Sequence, residues 1–221
     1  MIISHARMQR TMWEKTQVRI VAGRLRGRKL HVVVKEGMRP TPQLVREAYF
    51  SMMGNAIPGR LFYDVFAGTG VVGLEAVSRG ALAARLIEND SRQAADIQKH
   101  ADLFGISRDV QVLKADAYRW AEHWQPSGTA PVNFFLSPPF ADLHQRLERF
   151  LNLVQTLLSK APPDSVLTLQ VERGFPLERL PDLPAWDIRR YGRNLLMVYV
   201  VPARERSPGP EKEPDAHPTG H

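Results

Sequence analysis

"RLFYDVFAGTGVVGLEAVSRG", residues 60 to 80, changes character halfway along. Its first part, "RLFYDVFAG", reads as a buried strand, and "VVGLEAVSRG" reads as a helix stopped by Gly80. Between them Gly68, Gly70 and Gly73 satisfy G-x-G-x-x-G, a spacing that permits a tight turn and lets a ligand approach the backbone closely. A strand that runs through such a loop into a helix is the opening unit of an α/β sheet.

Downstream, the same alternation recurs. "AARLIEND" is a second strand, followed by the helix "SRQAADIQKHADLFG", capped by Ser91 and ended by Gly105. "DVQVLKAD" is a third strand, followed by the amphipathic "AYRWAEHW". "APVNFFLSPPF" is a fourth, and "DLHQRLERFLNLVQTLLSK" one long helix with apolar positions three and four apart. "SVLTLQVE" is a fifth strand, and "AWDIRRYGR" with "NLLMVYVVP" a closing hairpin. Strands that alternate with helices predict a mostly parallel, doubly wound sheet covered on both faces, with ligands at the carboxyl ends of its strands.

Upstream, "QVRIVAG" and "RKLHVVV" around the turn-like "RLRG" read as a basic β-hairpin. Thr41 then reads as the N-cap of a helix with Pro42 at its first position, Leu44, Val45, Ala48 and Phe50 on one side, and Gly54 closing it. The expected organisation is a loose leader over residues 1–16, with Met8 or Met12 as alternative starts, one domain over 17–203 that includes the hairpin at 17–37, and a disordered tail over 204–221 rich in Pro and Glu.

A hydrophobic fraction of 43% and a charged fraction of 24% suit an ordinary soluble domain. No run approaches the roughly 18 apolar residues of a membrane span, and the first residues lack a signal peptide's apolar centre, so the expected location is the cytoplasm. Zero cysteines exclude disulfides, thiolate metal sites and a cysteine nucleophile. No metal is expected. Residues 17 to 46 hold Arg19, Arg24, Arg26, Arg28, Lys29, Lys35, Arg39 and Arg46 against Glu36, a net of +7 that equals the net of the whole chain. Confined to one segment, such an excess fits a polyanion docking surface better than a merely solvated face.

The acids at the strand ends narrow the cofactor. Glu88 ends the second strand, placed to accept hydrogen bonds from ribose hydroxyls. With the glycines alone this fits a dinucleotide equally well. Asp64, however, is unfavourable beside a pyrophosphate and useful near the ammonium of a methionine moiety, and Asp116 at the end of the third strand could take an adenine amine. Three acids and a glycine loop together fit S-adenosylmethionine, against the plainer reading of three ordinary strand-end acids. The fourth strand ends in Ser137-Pro138-Pro139-Phe140. Two prolines end a ladder and stiffen the turn. A base amine is a poor nucleophile, and a Ser137 hydroxyl and Pro138 carbonyl that accept its protons, with Phe140 stacked on the base, would present it for in-line attack on a methyl group. A metal or general base is not needed, because the proton can leave after transfer.

"VRIVAGRLRGRKL", "MRPTPQLVREAYFSMM", "DVFAGTGVVGLEAVSRGA", "LIEND" and "SPPF" together resemble the bacterial 16S ribosomal RNA guanine-N2 methyltransferases, in order from about Val18 to about Pro202. The resemblance implies a class I methyltransferase fold, a Rossmann-like seven-stranded mixed sheet with helices on both faces plus the small N-terminal hairpin. It implies S-adenosylmethionine as donor and, as substrate, one guanine of small-subunit rRNA within an assembling 30S particle, met by a monomer. By position it makes Asp64, Gly68, Gly70, Glu88 and Asp116 cofactor residues and Ser137, Pro138 and Phe140 catalytic. Arg39, Pro40 and Thr41 would lie near the target base, and Arg24, Arg26, Arg28 and Lys29 on RNA phosphates. The chain departs from the family pattern at Ser137, where aspartate is usual, at His100, where asparagine is frequent, and at Leu44, where arginine is frequent. Serine is familiar at this position among cytosine-N4 enzymes, which leaves open a cytosine-N4 or adenine-N6 methyltransferase on RNA or DNA, or a non-catalytic RNA-binding relative. His100 and His144 read as packing or surface residues rather than ligands.

Overall fold

The computed structural model describes residues 13–35 and 40–203. Five parallel strands, β3 (Leu61–Val65), β4 (Ala83–Glu88), β5 (Val110–Lys114), β6 (Val132–Leu136) and β7 (Val166–Glu172), form one sheet with the closing antiparallel hairpin β8 (Asp187–Tyr191) and β9 (Asn194–Val200). The order is β5-β4-β3-β6-β7-β9-β8, so the seven-stranded mixed sheet expected from the sequence is present. From β3 the chain winds outward through β4 and β5, then returns to place β6 on the other side of β3. That reversal makes the carboxyl ends of β3 and β6 the switch point where a crevice opens. Val65 and Leu136 lie in register there, so the loop after β3 and the turn after β6 leave the sheet side by side.

Both sheet faces are covered. On one, Phe62, Leu86 and Phe135 pack with Tyr49 of α1 (Gln43–Met53), Leu74 of α2 (Val71–Ser78) and Ile97 of α3 (Ser91–Leu103). On the other, Tyr63, Phe134 and Met197 meet Tyr118 of α4 (Ala117–His123), Leu143 of α5 (Phe140–Gln145) and Phe150 of α6 (Leu147–Lys160). No helix of the described residues is long and apolar enough to cross a membrane.

The basic hairpin, β1 (Trp13–Arg19) and β2 (Lys29–Lys35), is a separate two-stranded sheet laid along α3. β1 begins at Trp13, so residues 13–16 are strand rather than leader; residues 1–12, 36–39 and 204–221, with Arg39, lie outside the described residues. His100, 5% exposed, accepts the His31 backbone N–H at 3.1 Å through Nε2, and its Nδ1 lies 2.7 Å from the Asp96 carbonyl. This pairing requires the neutral ring with hydrogen on Nδ1, and burial lowers its pKa to match. His100 thus has a physical role, holding β2 to α3.

A buried ion pair joins the hairpin to the sheet. The Arg46 guanidinium, 2% exposed, donates to Glu75 Oε2 at 3.3 Å, to the Thr41 carbonyl at 2.6 Å and to the Arg19 carbonyl at 2.8 Å. Glu75, fully buried on α2, also accepts from Arg79 at 2.7 Å.

Four local expectations are corrected. Asp90, not Ser91, caps α3, its Oδ1 accepting from the Arg92 and Gln93 N–H groups, because its extended backbone aims the carboxylate at them. Pro42 occupies the N-cap position of α1, while the Thr41 hydroxyl donates instead to Gln170 Oε1 at 3.0 Å. Leu44 does not join the buried side of α1; it is 67% exposed. The expected long helix is two, α5 and α6, broken where Arg146 leaves helical geometry at φ −135°.

Candidate active site

The first wall of the crevice is the loop after β3. Asp64 is 2% exposed on the α2 side of the sheet, and its Oδ2 accepts the Gly73 N–H at 2.8 Å. Burial pushes its carboxyl up to about 7, the Gly73 hydrogen bond opposing and the nearby Glu88 charge adding. Phe66 follows in a left-handed conformation, φ 70°, which is costly for a bulky side chain and recurs at functional turns. Gly68 and Gly70 continue at φ 55° and 72°. A Cβ on Gly70 would stand 2.7 Å from Ile97 Cγ1, so both backbone angle and packing require glycine there. The loop therefore folds tightly down onto α3.

β4 supplies the second wall. Glu88 is 8% exposed, with Oε2 accepting the Gly68 N–H and Oε1 the Asp90 N–H, both at 2.7 Å. Burial raises its pKa, and these two backbone bonds oppose the rise. Each oxygen retains a lone pair for an incoming hydroxyl. At the end of β5, Asp116 caps α4 through Oδ1, which accepts the Arg119 N–H at 3.0 Å, and Arg149 stands 3.9 Å from the same oxygen. Asp64, Glu88 and Asp116 thus lie at the carboxyl ends of three adjacent strands around one glycine loop. This set of acceptors suits a ligand that bears an ammonium, two hydroxyls and an amine.

Opposite, β6 is buried along its whole length until the half-buried Ser137, whose N–H reaches the Val65 carbonyl at 3.4 Å. Pro138 is buried, and Pro139 precedes the first turn of α5. Phe140 opens that helix and is 42% exposed, a large hydrophobic residue left open just after the turn. Thr41, through its bond to Gln170, reaches the same edge, because Leu136 and Leu169 are in register and Gln170 lies one residue beyond.

Sequence reasoning missed Tyr118. Its hydroxyl donates to Asp142 Oδ2 at 2.7 Å, its ring meets Phe66 edge-on at 5.4 Å, and the Arg149 guanidinium lies over it at 4.8 Å. Burial raises the tyrosine's pKa, and the Asp142 bond adds to the rise, so the phenol remains a donor. It ties the Phe140 helix to the loop after β3. Its only sequence signal is spacing: Tyr118 lies two residues past Asp116, and Asp142 two past Phe140.

Arg24, Arg26, Arg28 and Lys29 are not brought to this crevice. The Arg24 N–H bonds to the Ser78 carbonyl at the far end of α2, its guanidinium pairs with Asp109 ahead of β5, and Arg28 lies 5.9 Å from the Phe104 ring past the end of α3. They occupy the amino-terminal edge of the sheet, separated from the glycine loop by α2, roughly 12 Å long.

Against known proteins, residues 18–200 match the family described as Conserved hypothetical protein 95. Ribosomal RNA small subunit methyltransferase D of Escherichia coli K12 is 34% identical over 176 residues, covering 79% of this chain and 83% of that protein. A solved hypothetical protein of Thermus thermophilus superimposes with a TM-score of 0.66 at 27% identity, covering 83% and 99% of the two chains. An RNA methyltransferase of Salinibacter ruber, crystallised with S-adenosyl-L-homocysteine, shares the fold at 18% identity and a TM-score of 0.52, over 79% of this chain and 100% of that one.

Proposed function

The chain belongs to the family described as Conserved hypothetical protein 95, and from that premise we propose that it transfers a methyl group from S-adenosylmethionine to the N2 amine of one guanine in small-subunit rRNA. The observation that carries this reading is the meeting, at one switch point, of a carboxylate-lined glycine loop and the Ser137-Pro138-Pro139-Phe140 turn. The substrate is rRNA in an assembling 30S particle, met in the cytoplasm by a monomer. The basic hairpin supports a polyanionic partner.

The residues present fit the cofactor. Asp64 would pair with the ammonium, its desolvation relieved by that positive charge. Glu88 would take the ribose hydroxyls and Asp116 the adenine amine, while Gly68 and Gly70 let the backbone close around them. When bound, S-adenosylmethionine supplies an electrophilic methyl group on a sulfonium. The chain's own task is to present the amine. The Ser137 hydroxyl and the Pro138 carbonyl accept hydrogen bonds from its two N–H groups, which turns the nitrogen lone pair toward the donor and holds it in line. Phe140 holds the base flat, and the displaced proton leaves to water after transfer. Thr41 stands beside the base, and Arg24, Arg26, Arg28 and Lys29 meet phosphates farther along the RNA.

Deleting the gene should remove one N2-methylguanine from 16S rRNA when its nucleosides are mapped by mass, and an unchanged guanine profile would reject the reading. The neutral hydroxyl of Ser137 favours cytosine-N4 as the second reading, and the same map would register its loss at a cytosine instead.

Two substitutions probe the amine site. Phe140→Ala should lower methyl transfer by roughly 5- to 150-fold, the equivalent of about 1–3 kcal/mol of base stacking, while cofactor affinity holds. Equal loss of both in steady-state kinetics and calorimetry would argue against a stacking role. Ser137→Asp should keep or raise the rate, because a charge-assisted hydrogen bond is about twice as strong as a neutral one. A large drop in turnover would mean that the turn is built around serine.

A further inference from the structure

The cations that the hairpin contributes lie at the edge of the sheet opposite the crevice, yet the crevice edge carries cations of its own. β7 and β9 are paired so that Glu172, at the carboxyl end of β7, faces Asn194 at the start of β9. The β8–β9 turn therefore stands at the same edge as Ser137. It is a two-residue hairpin turn, with Gly192 at φ 58° and Arg193 at its tip. Arg173, the residue after β7, donates its N–H to the Arg193 carbonyl at 3.0 Å, and Arg190 lies on β8 in register with Leu195. All three side chains are exposed, and among the described residues no ion pair or side-chain hydrogen bond engages Arg173, Arg190 or Arg193. Their neighbours are already paired: Arg189 with Asp187, and Arg179 with Glu148.

The patch borders the amine site directly. His144, one helical turn after Phe140, lies with Nε2 2.5 Å from Glu172 Oε1, so α5 is held against the residue that precedes Arg173. β7, β9 and β8 are neighbours, and at roughly 5 Å per strand the three arginines span about 10 Å of the edge. We propose that Arg173, Arg190 and Arg193 form a second RNA-binding surface, which grips the phosphates flanking the target nucleotide while the hairpin turn holds the RNA at the far edge. Exposed, unpaired guanidiniums suit phosphate oxygens because their planar forks donate two parallel hydrogen bonds. The proposal rests on rRNA being the substrate.

Its test is the full chain carrying Arg173→Gln, Arg190→Gln and Arg193→Gln, measured for binding to in vitro transcribed 16S rRNA between about 50 and 200 mM salt. Affinity at low salt should fall roughly 10-fold or more, and the slope of log affinity against log salt should flatten by about 2, near 0.7 for each single-strand phosphate no longer neutralised. Cofactor affinity and melting temperature should hold, and methyl transfer to small subunits should fall with the binding. Unchanged affinity and slope would overturn the proposal. So would unchanged binding to naked rRNA with reduced transfer to intact subunits, which would make the partner of the patch a protein. If the wild-type chain transfers no methyl to any rRNA, the proposed function fails, and the binding slope still decides whether this edge holds RNA.

Discussion

Arg46→Met is expected to destabilise the protein by about 3–5 kcal/mol, because removing one partner of a buried ion pair strands the other. Methionine replaces the stem but none of the donors. The Thr41 and Arg19 carbonyls lose their guanidinium hydrogen bonds, and Glu75, with no solvent exposure, keeps only Arg79. Burial depresses the Arg46 pKa, the Arg79 charge adding to the fall, and the Glu75 charge and hydrogen bond oppose it, so this partner favours the charged guanidinium. Because Arg79 still pairs with Glu75, the lower half of the range is the better expectation. For a domain of this size, about 2–4 °C per kcal/mol gives, over that lower half, a fall in melting temperature of roughly 6–16 °C. Glu75→Gln added to Arg46→Met should restore part of it, since the stranded charge is gone. A shift equivalent to less than about 1 kcal/mol in thermal unfolding would show that the pair contributes little beyond its desolvation cost.

Asp64→Asn should alter the pH dependence of the protein more than any other single change at the crevice. In the folded chain the carboxyl titrates at about 7, against an ordinary 3.8. The folded state therefore binds a proton that the unfolded chain releases. The resulting stability is present in full below about pH 4 and is lost as pH rises from about 4 to about 7, at roughly 1.4 kcal/mol per unit. Asparagine keeps an acceptor for the Gly73 N–H and removes the titration, so the variant without cofactor should be more stable than the parent at about pH 8 and lack this component of the slope. An ammonium partner needs the ionised carboxylate. Cofactor affinity should accordingly rise by up to 10-fold per pH unit as pH approaches about 7, then level off, and should fall about 10- to 100-fold in the variant above that pH. Calorimetric titration across this range checks it: a parent affinity insensitive to pH would remove Asp64 from the ammonium site.

The sheet was legible because its central strands are nearly continuous apolar runs, and burial on both faces demands such runs: "VNFFL" is buried at every position, with Asn133 its one polar residue. The glycine loop was legible for a local reason too, since a left-handed turn pressed against Ile97 leaves glycine as the residue that fits. Features that depend on distant partners were not. Thr41 followed by Pro42 looks like a cap and first turn, but the hydroxyl is claimed by Gln170 across 129 positions of chain. Arg46 sits in an ordinary amphipathic pattern, and only Glu75 on another helix makes a buried site for it. Leu44 has the spacing of a core residue and faces solvent, because spacing names a face without fixing where its margin falls. The break at Arg146 carries neither proline nor glycine to announce it. Most consequential, the run of arginines at 24 to 28 predicts a basic surface correctly in composition, yet which edge of the sheet it occupies follows from the direction in which the hairpin lies along α3.

The hairpin's attachments make it a poor candidate for a portable module. It is held by polar bonds whose other halves belong to three different helices: Arg46 of α1 on the Arg19 carbonyl, Ser78 of α2 bonding to Ala22 and Leu25, and His100 of α3 on the His31 N–H. Exchange of this segment between relatives to retarget the enzyme would have to transplant those anchor residues with it, so its natural unit of inheritance is the hairpin together with its sockets.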